Sequence, residues 1–281
     1  MLARSRKRAP AAVRNESAWA TMLARPTFGV GAALLVLTVL AWLQLAGLVP
    51  GTGAAMHHAA HVGGAGQHAT HAMHHAWQPA DFGMVFAMWM VMAVAMMLPT
   101  AAPAILAYAD IARGPAAAAT GVSLTSFAGG YLAAWWLFGV VATAAQWLLA
   151  VAAQHTPAFS ASSPVLGGTL LVGAGLYQFS SLKQACLTQC RSPMMFFIAH
   201  WRDGTAGAFN LGLRHGMHCV GCCWALMALM LFAGMMSLAW TVALTALMLA
   251  EKVLPGGPLL GRVVGIALLT WGGVMLATAT F

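Results

Sequence analysis

The stretch GMVFAMWMVMAVAMMLPTAAPAILAY, residues 83–108, has no charged side chain and is long enough to cross a membrane as a helix. About 20 consecutive apolar residues are needed for one crossing. The whole chain shares this character, since 61% of its 281 residues are hydrophobic and only 6% are charged. A soluble domain carries about 25% charged residues. The composition therefore predicts an all-α protein, built as a polytopic bundle of transmembrane helices.

Apolar runs like this one recur along the chain and predict about seven spans. They cover approximately residues 28–49, 83–108, 122–153, 164–182, 207–235, 238–254 and 261–280. The sixth run is short, so six spans plus a re-entrant segment is the alternative. Pro99 and Pro103 in the second run are expected to kink that helix and to free backbone carbonyls within the membrane.

The basic residues predict how the bundle is oriented. With seven spans, all 13 Lys and Arg residues fall on one side of the membrane. Because basic loops stay in the cytoplasm, the N-terminus is predicted to be cytoplasmic and the C-terminus external. The net charge of +8 then reflects topology, and no nucleic-acid partner is predicted.

Changes in composition divide the chain into four predicted segments. Residues 1–27 form a basic cytoplasmic tail that is expected to be disordered, and residues 28–49 form the first transmembrane anchor. Residues 50–80 form an external loop rich in His and Met, and residues 81–281 form a six-helix metal-binding membrane domain. The sequence has no hydrolase-like set of Ser, His and carboxylate and no phosphate-binding glycine loop. An ATP-driven pump is therefore excluded, and a non-enzymatic role is favoured.

The densest group of metal-ligand residues lies at the predicted fifth span, in the sequence HGMHCVGCCW from His215 to Trp224. Cys and His are ligands for Cu(I) and Zn(II), and they are costly in a membrane helix unless something binds them. On a helix, five of these side chains project within an arc of about 140°. They are His215, His218, Cys219, Cys222 and Cys223. Met230 follows two turns later on the same face.

Two further cysteines, Cys186 and Cys190, lie four residues apart and share one face if they are helical. The predicted topology puts both cysteine clusters on the cytoplasmic side of the membrane. One site that combines the two clusters is compatible with this topology, but the sequence leaves open whether they meet. For each cysteine alone, the alternative is a small buried apolar residue.

Methionines of the second span form a stripe with a spacing of four residues. Its members are Met84, Met88, Met92 and Met96. Met90 and Met97 lie on another face of the same helix. Thioether sulfur suits Cu(I), so the stripe is interpreted as a metal path to which Met230 also belongs. The alternative is that these methionines only fill the core.

The predicted external loop carries the residues of a metal collector. Histidine binds Cu(II), Zn(II) or Ni(II), and methionine beside it shifts the preference toward copper. The alternative is a tolerated low-complexity linker. The predicted collector residues are Met56, His57, His58, His61, His68, His71, Met73, His74 and His75.

Few other polar residues fall within the apolar runs. Glu251 and Lys252, at the cytoplasmic end of the sixth span, are interpreted as an interfacial ion pair. Gln146 and Gln178 are expected to form hydrogen bonds between helices. The apolar piece Pro193–Trp201 is too short to span and is predicted to be an interfacial helix or a re-entrant turn.

Several short sequences together resemble a known bacterial family. They are Met96-Met-Leu-Pro-Thr-Ala-Ala-Pro103, Tyr177-Gln-Phe-Ser-Ser-Leu-Lys183, Cys186-Leu-Thr-Gln-Cys-Arg191, Trp201-Arg-Asp-Gly204 and the block His215–Trp224. The set resembles the predicted metal-binding integral membrane proteins known as domain of unknown function 2182, some members of which are labelled copper chaperone. The resemblance covers about residues 82–280 and implies metal binding, without implying a reaction.

Residues and resemblance together predict a multi-pass metal-binding protein of the bacterial inner membrane. Cu(I) is the favoured ion, and zinc is the alternative. The predicted role is metal transport, or copper delivery to a membrane cuproenzyme, with that enzyme or a periplasmic metal chaperone as partner. A membrane thiol–disulfide oxidoreductase is one alternative, although a reducing cytoplasm disfavours it. A structural subunit of a membrane complex is the other.

Overall fold

The structure is a computed structural model that describes residues 26–47, 79–112, 118–156, 163–233 and 238–279. These residues form helices, and no strand occurs among them, which confirms the predicted all-α class for this part of the chain. In chain order the helices are α1 Pro26–Leu45, α2 Pro79–Ile111, α3 Ala118–His155, α4 Pro164–Gln178, α5 Ser181–Arg191, α6 Pro193–His200, α7 Gly204–Ala228, α8 Met230–Ala233, α9 Leu238–Val253 and α10 Gly257–Ala279.

Four of the helices in the described ranges are long and apolar enough to cross a membrane, namely α1, α2, α3 and α10. The bent pair of α4 and α5 would bring the number to five. The helix α7 is long enough, but Arg214, His215 and His218 make it more polar, and α9 has only 16 residues. The seven spans and the cytoplasmic N-terminus stay predictions.

The predicted fourth span is not one straight helix. The chain bends by 64° between α4 and α5. The side chain of Ser180 accepts a hydrogen bond from the backbone N–H of Lys183, so Ser180 caps the start of α5. The bend turns α5, which carries Cys186 and Cys190, into a separate short helix that packs against α7.

Two other predicted spans differ from the observed helices in length. The helix α2 continues through Pro99 and Pro103 and reaches Ile111, so neither proline ends it. By contrast, α7 stops at Ala228, and Met230 begins the separate four-residue helix α8. Pro193 opens α6, a helix of eight residues, at the place where a short interfacial or re-entrant piece is predicted.

The most extensive helix contact joins α3 to α7, and glycines allow it. A Cβ atom built at Gly130 of α3 would collide with the backbone carbonyl of Phe209, and one at Gly212 of α7 with the carbonyl of Phe127. A Cβ at Gly216 would lie 2.7 Å from the Cβ of Ala134. Small residues at such positions let two helix backbones approach closely, as is typical of helix packing in membranes.

A second glycine-lined contact joins α4 to α10, and α1 packs against α2. Gly168 and Gly272 face one another across the first contact, where a Cβ at Gly272 would lie 2.8 Å from the carbonyl oxygen of Gly168. The indole N–H of Trp42 in α1 donates to the carbonyl of Ala95 in α2 at 3.1 Å. The centre of the bundle consists of α2, α3, α5, α7 and α9, which contribute many of the buried side chains. The candidate site lies among these helices.

Candidate metal centre

Five sulfur-bearing residues from three helices form one cluster, which we call the sulfur cluster. They are Met97 of α2, Cys190 of α5, and Cys219, Cys222 and Cys223 of α7. The sulfur of Cys190 lies 3.9 Å from that of Cys222. The sulfur of Cys223 lies 3.7 Å from the thioether sulfur of Met97. The structure thus brings Cys190, one of the two predicted α5 ligands, to the cysteines of α7, while Cys186 lies outside the cluster.

The spacing of the cysteines in α7 explains why their thiols share one face. Residues three and four positions apart are neighbours on a helix surface, so Cys222 and Cys223 lie one turn above Cys219. The thiols of Cys222 and Cys223 both donate to the carbonyl oxygen of Cys219, at 3.1 and 2.9 Å. All three side chains are buried. The predicted arc of ligands on this helix therefore gives a compact group of thiols.

Cys219 is also contacted by groups from α3 and α9. The hydroxyl oxygen of Tyr131 lies 3.2 Å from the sulfur of Cys219. The ammonium group of Lys252 donates to the same sulfur at 3.1 Å and to the hydroxyl of Thr100 at 3.0 Å. Lys252 thus brings a buried ammonium group into direct contact with the sulfur cluster.

Cys186, the other cysteine of α5, faces a glycine. A Cβ built at Gly221 would lie 2.6 Å from the sulfur of Cys186, so only glycine leaves room for this thiol. The hydroxyl of Tyr177 donates to the carbonyl of Gly221 at 2.5 Å and fastens α4 to the same turn of α7. Gly221 therefore lets α5 approach α7 closely, and this approach brings Cys190 of α5 next to Cys222 of α7.

The two predicted histidine ligands lie among aromatic rings. His215 is buried, and its Nδ1 atom has no hydrogen-bond partner within the described part of the chain. Its ring is surrounded by the rings of Phe127, Tyr131, Phe196 and Phe197. His218 is half-buried, and its ring centre lies 5.7 Å from that of Phe196. The contacts described for both histidines are thus aromatic, and their role as metal ligands stays a prediction.

The predicted methionine path is largely buried in the core. Met88, Met92 and Met96 are fully buried, and Met84 is partly buried against them. Met230 accepts a long contact, 4.0 Å, from the hydroxyl of Thr241. Burial of this kind fits both a metal path and simple packing, so the path stays a prediction. The predicted external collector residues lie outside the described residues.

Sequence reasoning missed Met97, because this residue lies off the four-residue stripe. The helix face that carries it points to α7, and this direction follows from long-range packing. The local signals are its position two residues before Pro99 and its place in the motif at residues 96–103 that carries the family resemblance. Tyr131 and Thr100 were also missed. A buried hydroxyl has many structural uses, so it does not by itself indicate a functional site.

The interpretation of Glu251 and Lys252 as a pair with each other is wrong. Glu251 pairs with Lys183 of α5 at 2.8 Å, and Lys183 also donates to the side chain of Gln178. Lys252 instead points to Cys219. Consecutive helix residues project about 100° apart, so the two side chains reach different neighbours. The sequence could have indicated that each residue has its own partner, because a charged side chain within an apolar bundle has a specific partner by default.

The donor atoms of the sulfur cluster are four thiols and one thioether. Within the described ranges, no group of three His, Cys, Asp or Glu side chains is arranged to hold a metal. The sulfur contacts join Cys190 to Cys222 and add a thioether through the contact of Cys223 with Met97. Structural zinc prefers four N or S ligands in a tetrahedron, whereas Cu(I) is selected by thiolate and thioether sulfur. The cluster thus offers soft donors of the kind that copper takes, and the identity of its ion stays a prediction.

A helical bundle with apolar spans and a buried group of thiols and a thioether defines a class of candidate soft-metal-binding proteins. Residues 86–275 match the PpoB2 family, which is described as a copper chaperone family. Because this match covers more than half of the chain, the protein belongs to that family, and the predicted membership in a family labelled copper chaperone is confirmed. No curated protein and no solved structure matches the chain.

Proposed function

We propose that the protein binds Cu(I) between Cys190 and Cys222 within the bacterial inner membrane and passes it to a cuproenzyme or a metal chaperone. The observation that supports this most directly is the 3.9 Å separation of the two sulfurs, which come from different helices. With metal–sulfur bonds of about 2.3 Å, two sulfurs on one ion lie about 4 Å apart. The pair is therefore spaced to share one ion without a large movement of either helix.

The neighbouring atoms support copper as the ion. The thioether of Met97 lies 3.7 Å from Cys223 and adds a soft donor that zinc rarely uses. Cu(I) accepts fewer ligands than zinc, so an incomplete shell leaves a position for an incoming thiol. Such an open position suits a protein that must release its ion to a partner. Membership of the copper chaperone family points in the same direction.

The predicted route through the molecule completes the proposal. The His/Met loop of residues 50–80 collects copper on the outer side, and Met88, Met92 and Met96 line the way toward the sulfur cluster. Release then takes place at the cytoplasmic end of α5, where Cys190 is only partly buried. Membrane crossing by several apolar helices is supported by their length and composition.

The test is copper binding by the purified protein in detergent under anaerobic conditions. We expect bound Cu(I), measured by mass spectrometry of the metal, and loss of that copper in Cys190→Ser and in Cys222→Ser. Each change removes one of only two paired thiolates. Cys186→Ser is the matched control, because this thiol lies on the same helix as Cys190 but faces Gly221. Stoichiometric zinc without copper in the unchanged protein would refute the copper assignment.

A thiol–disulfide oxidoreductase is the second candidate, and the same pair of sulfurs favours it. Cys190 and Cys222 are free thiols in near contact, as a dithiol that forms a disulfide requires. This function needs two oxidation states in the cell, which alkylation of thiols before and after reduction reveals. Thiols that are always reduced, but are protected from alkylation by added Cu(I), would exclude it in favour of copper binding.

A further inference from the structure

Lys252 places a positive charge beside the sulfur cluster, inside the bundle. Its ammonium group donates to the sulfur of Cys219 at 3.1 Å, and the residue is 8% exposed. Glu251, the carboxylate next to it in the chain, is engaged by Lys183 through both of its oxygens, at 3.0 and 2.8 Å. The charge of Lys252 is therefore directed at the thiols.

The thiols nearest to Lys252 belong to the same turn of α7 as the proposed copper ligand. Cys222 and Cys223 both donate to the carbonyl of Cys219, so the three residues lie within one turn of α7. An ion held by Cys222 and Cys190 would therefore lie within about one helical turn of the sulfur that Lys252 contacts. At such a distance in a protein interior, a pair of unit charges interacts strongly.

The charge of the bound ion determines how strongly Lys252 opposes its binding. The ammonium group repels a divalent ion held by Cys190 and Cys222 about twice as strongly as a monovalent ion at the same place. The sulfur cluster itself carries the same charges for both ions, so the difference comes from the ion alone.

We infer that Lys252 determines the specificity of the sulfur cluster, by favouring monovalent Cu(I) over divalent ions through its charge. This inference rests on the proposed copper site of Cys190 and Cys222. The effect of Lys252 on the thiolates is the same for both ions, so it cancels in the ratio of their affinities. What remains is the repulsion between the ammonium group and the ion, which is twice as large for a divalent ion.

The experiment measures the affinities for Cu(I) and Zn(II) in the full-length protein in detergent, by competition with chelators. In Lys252→Gln, which keeps polar atoms but loses the charge, we expect the Cu(I) to Zn(II) affinity ratio to fall by about a hundredfold. Lys252→Met should lower the ratio in the same way. Lys252→Arg is the matched control, because it keeps the charge and should keep the ratio within about tenfold. A monodisperse elution profile shows that each variant is folded.

Two further outcomes separate this inference from the proposed function. If the unchanged protein binds no Cu(I), the proposed copper site is wrong. If it binds Cu(I), but a folded Lys252→Gln or Lys252→Met keeps the original ratio, only the role of Lys252 is wrong. A second pair of soft ions repeats the test: the Ag(I) to Cd(II) affinity ratio should also fall in Lys252→Gln relative to the unchanged protein. An unchanged Ag(I) to Cd(II) ratio would overturn the inference.

Discussion

Met97 shows how much a single residue changes the chemistry of a thiol site. Without it, the cluster would consist of cysteines alone, a set that zinc and copper share. Its thioether lies against Cys223, and the hydroxyl of Thr100 contacts the same sulfur at 3.8 Å. The backbone carbonyl of Met97 also accepts a hydrogen bond from Tyr131 at 3.3 Å. The position of its sulfur is thus fixed by contacts on several sides.

Replacing Met97 by leucine tests the thioether while keeping the volume of the side chain. We expect Met97→Leu to bind Cu(I) about tenfold more weakly, because a supporting donor at a metal site is typically worth this much or more. Met227→Leu is the matched control: it is an equally buried methionine of α7 that belongs neither to the sulfur cluster nor to the predicted methionine path. Affinity is measured by competition with a Cu(I) chelator. Equal weakening in both variants would mean that packing, and not the sulfur of Met97, matters.

At the scale of elements, the contact between α3 and α7 positions the cluster. Gly130 and Gly212 bring the two backbones together, and this approach places Tyr131 of α3 against Cys219 of α7. Side chains of ordinary size at these glycines would separate the helices. The glycines therefore matter for the site even though they have no donor atoms.

Two neighbouring glycines of α3 provide a clean test of this packing. Gly130→Ala should destabilise the protein by about 1–3 kcal/mol, because its Cβ would overlap the carbonyl of Phe209. Gly129→Ala should be neutral or slightly stabilising, since nothing lies within 4 Å of a Cβ there and alanine favours a helix. The free energy of unfolding is measured by denaturant titration in mixed micelles. The same loss in both variants would contradict the close contact of α3 with α7.

At the scale of the whole molecule, much of the fold follows from apolar runs, whereas the partners in the site do not. The runs predicted where helices lie, because each helix must bury or shield its backbone polar groups over its whole length. The apolar run 164–182 did not indicate the bend before α5. This bend coincides with a helix start that one residue caps, Ser180. The sequence also indicated two cysteine groups that lie near one another in the structure, whereas their role as metal ligands stays a prediction. It did not indicate Lys252 as their neighbour, because that contact requires the packing of α9 on α7.

The number of spans also belongs to this scale, and the positions of the two termini test it. Seven spans place the N-terminus in the cytoplasm and the C-terminus outside, whereas six spans place both on the same side. Fusions of a cytoplasm-active and an export-active reporter to each end should therefore give opposite signals at Met1 and Phe281. Like signals at the two ends would favour six spans with a re-entrant segment.

Glu251 and Lys252 point in different directions from α9, and their contacts fix the rotation of this helix about its own axis. One residue added or removed earlier in the helix would turn its end by about 100°. An added residue would turn the carboxylate of Glu251 toward the thiols, and a removed residue would turn the ammonium group of Lys252 toward Lys183. Both encounters are repulsive or unpaired in a buried setting. The contacts of these two consecutive, oppositely charged residues are therefore compatible with a single register of α9. A change in the length of α9 would alter the charge that faces the sulfur cluster.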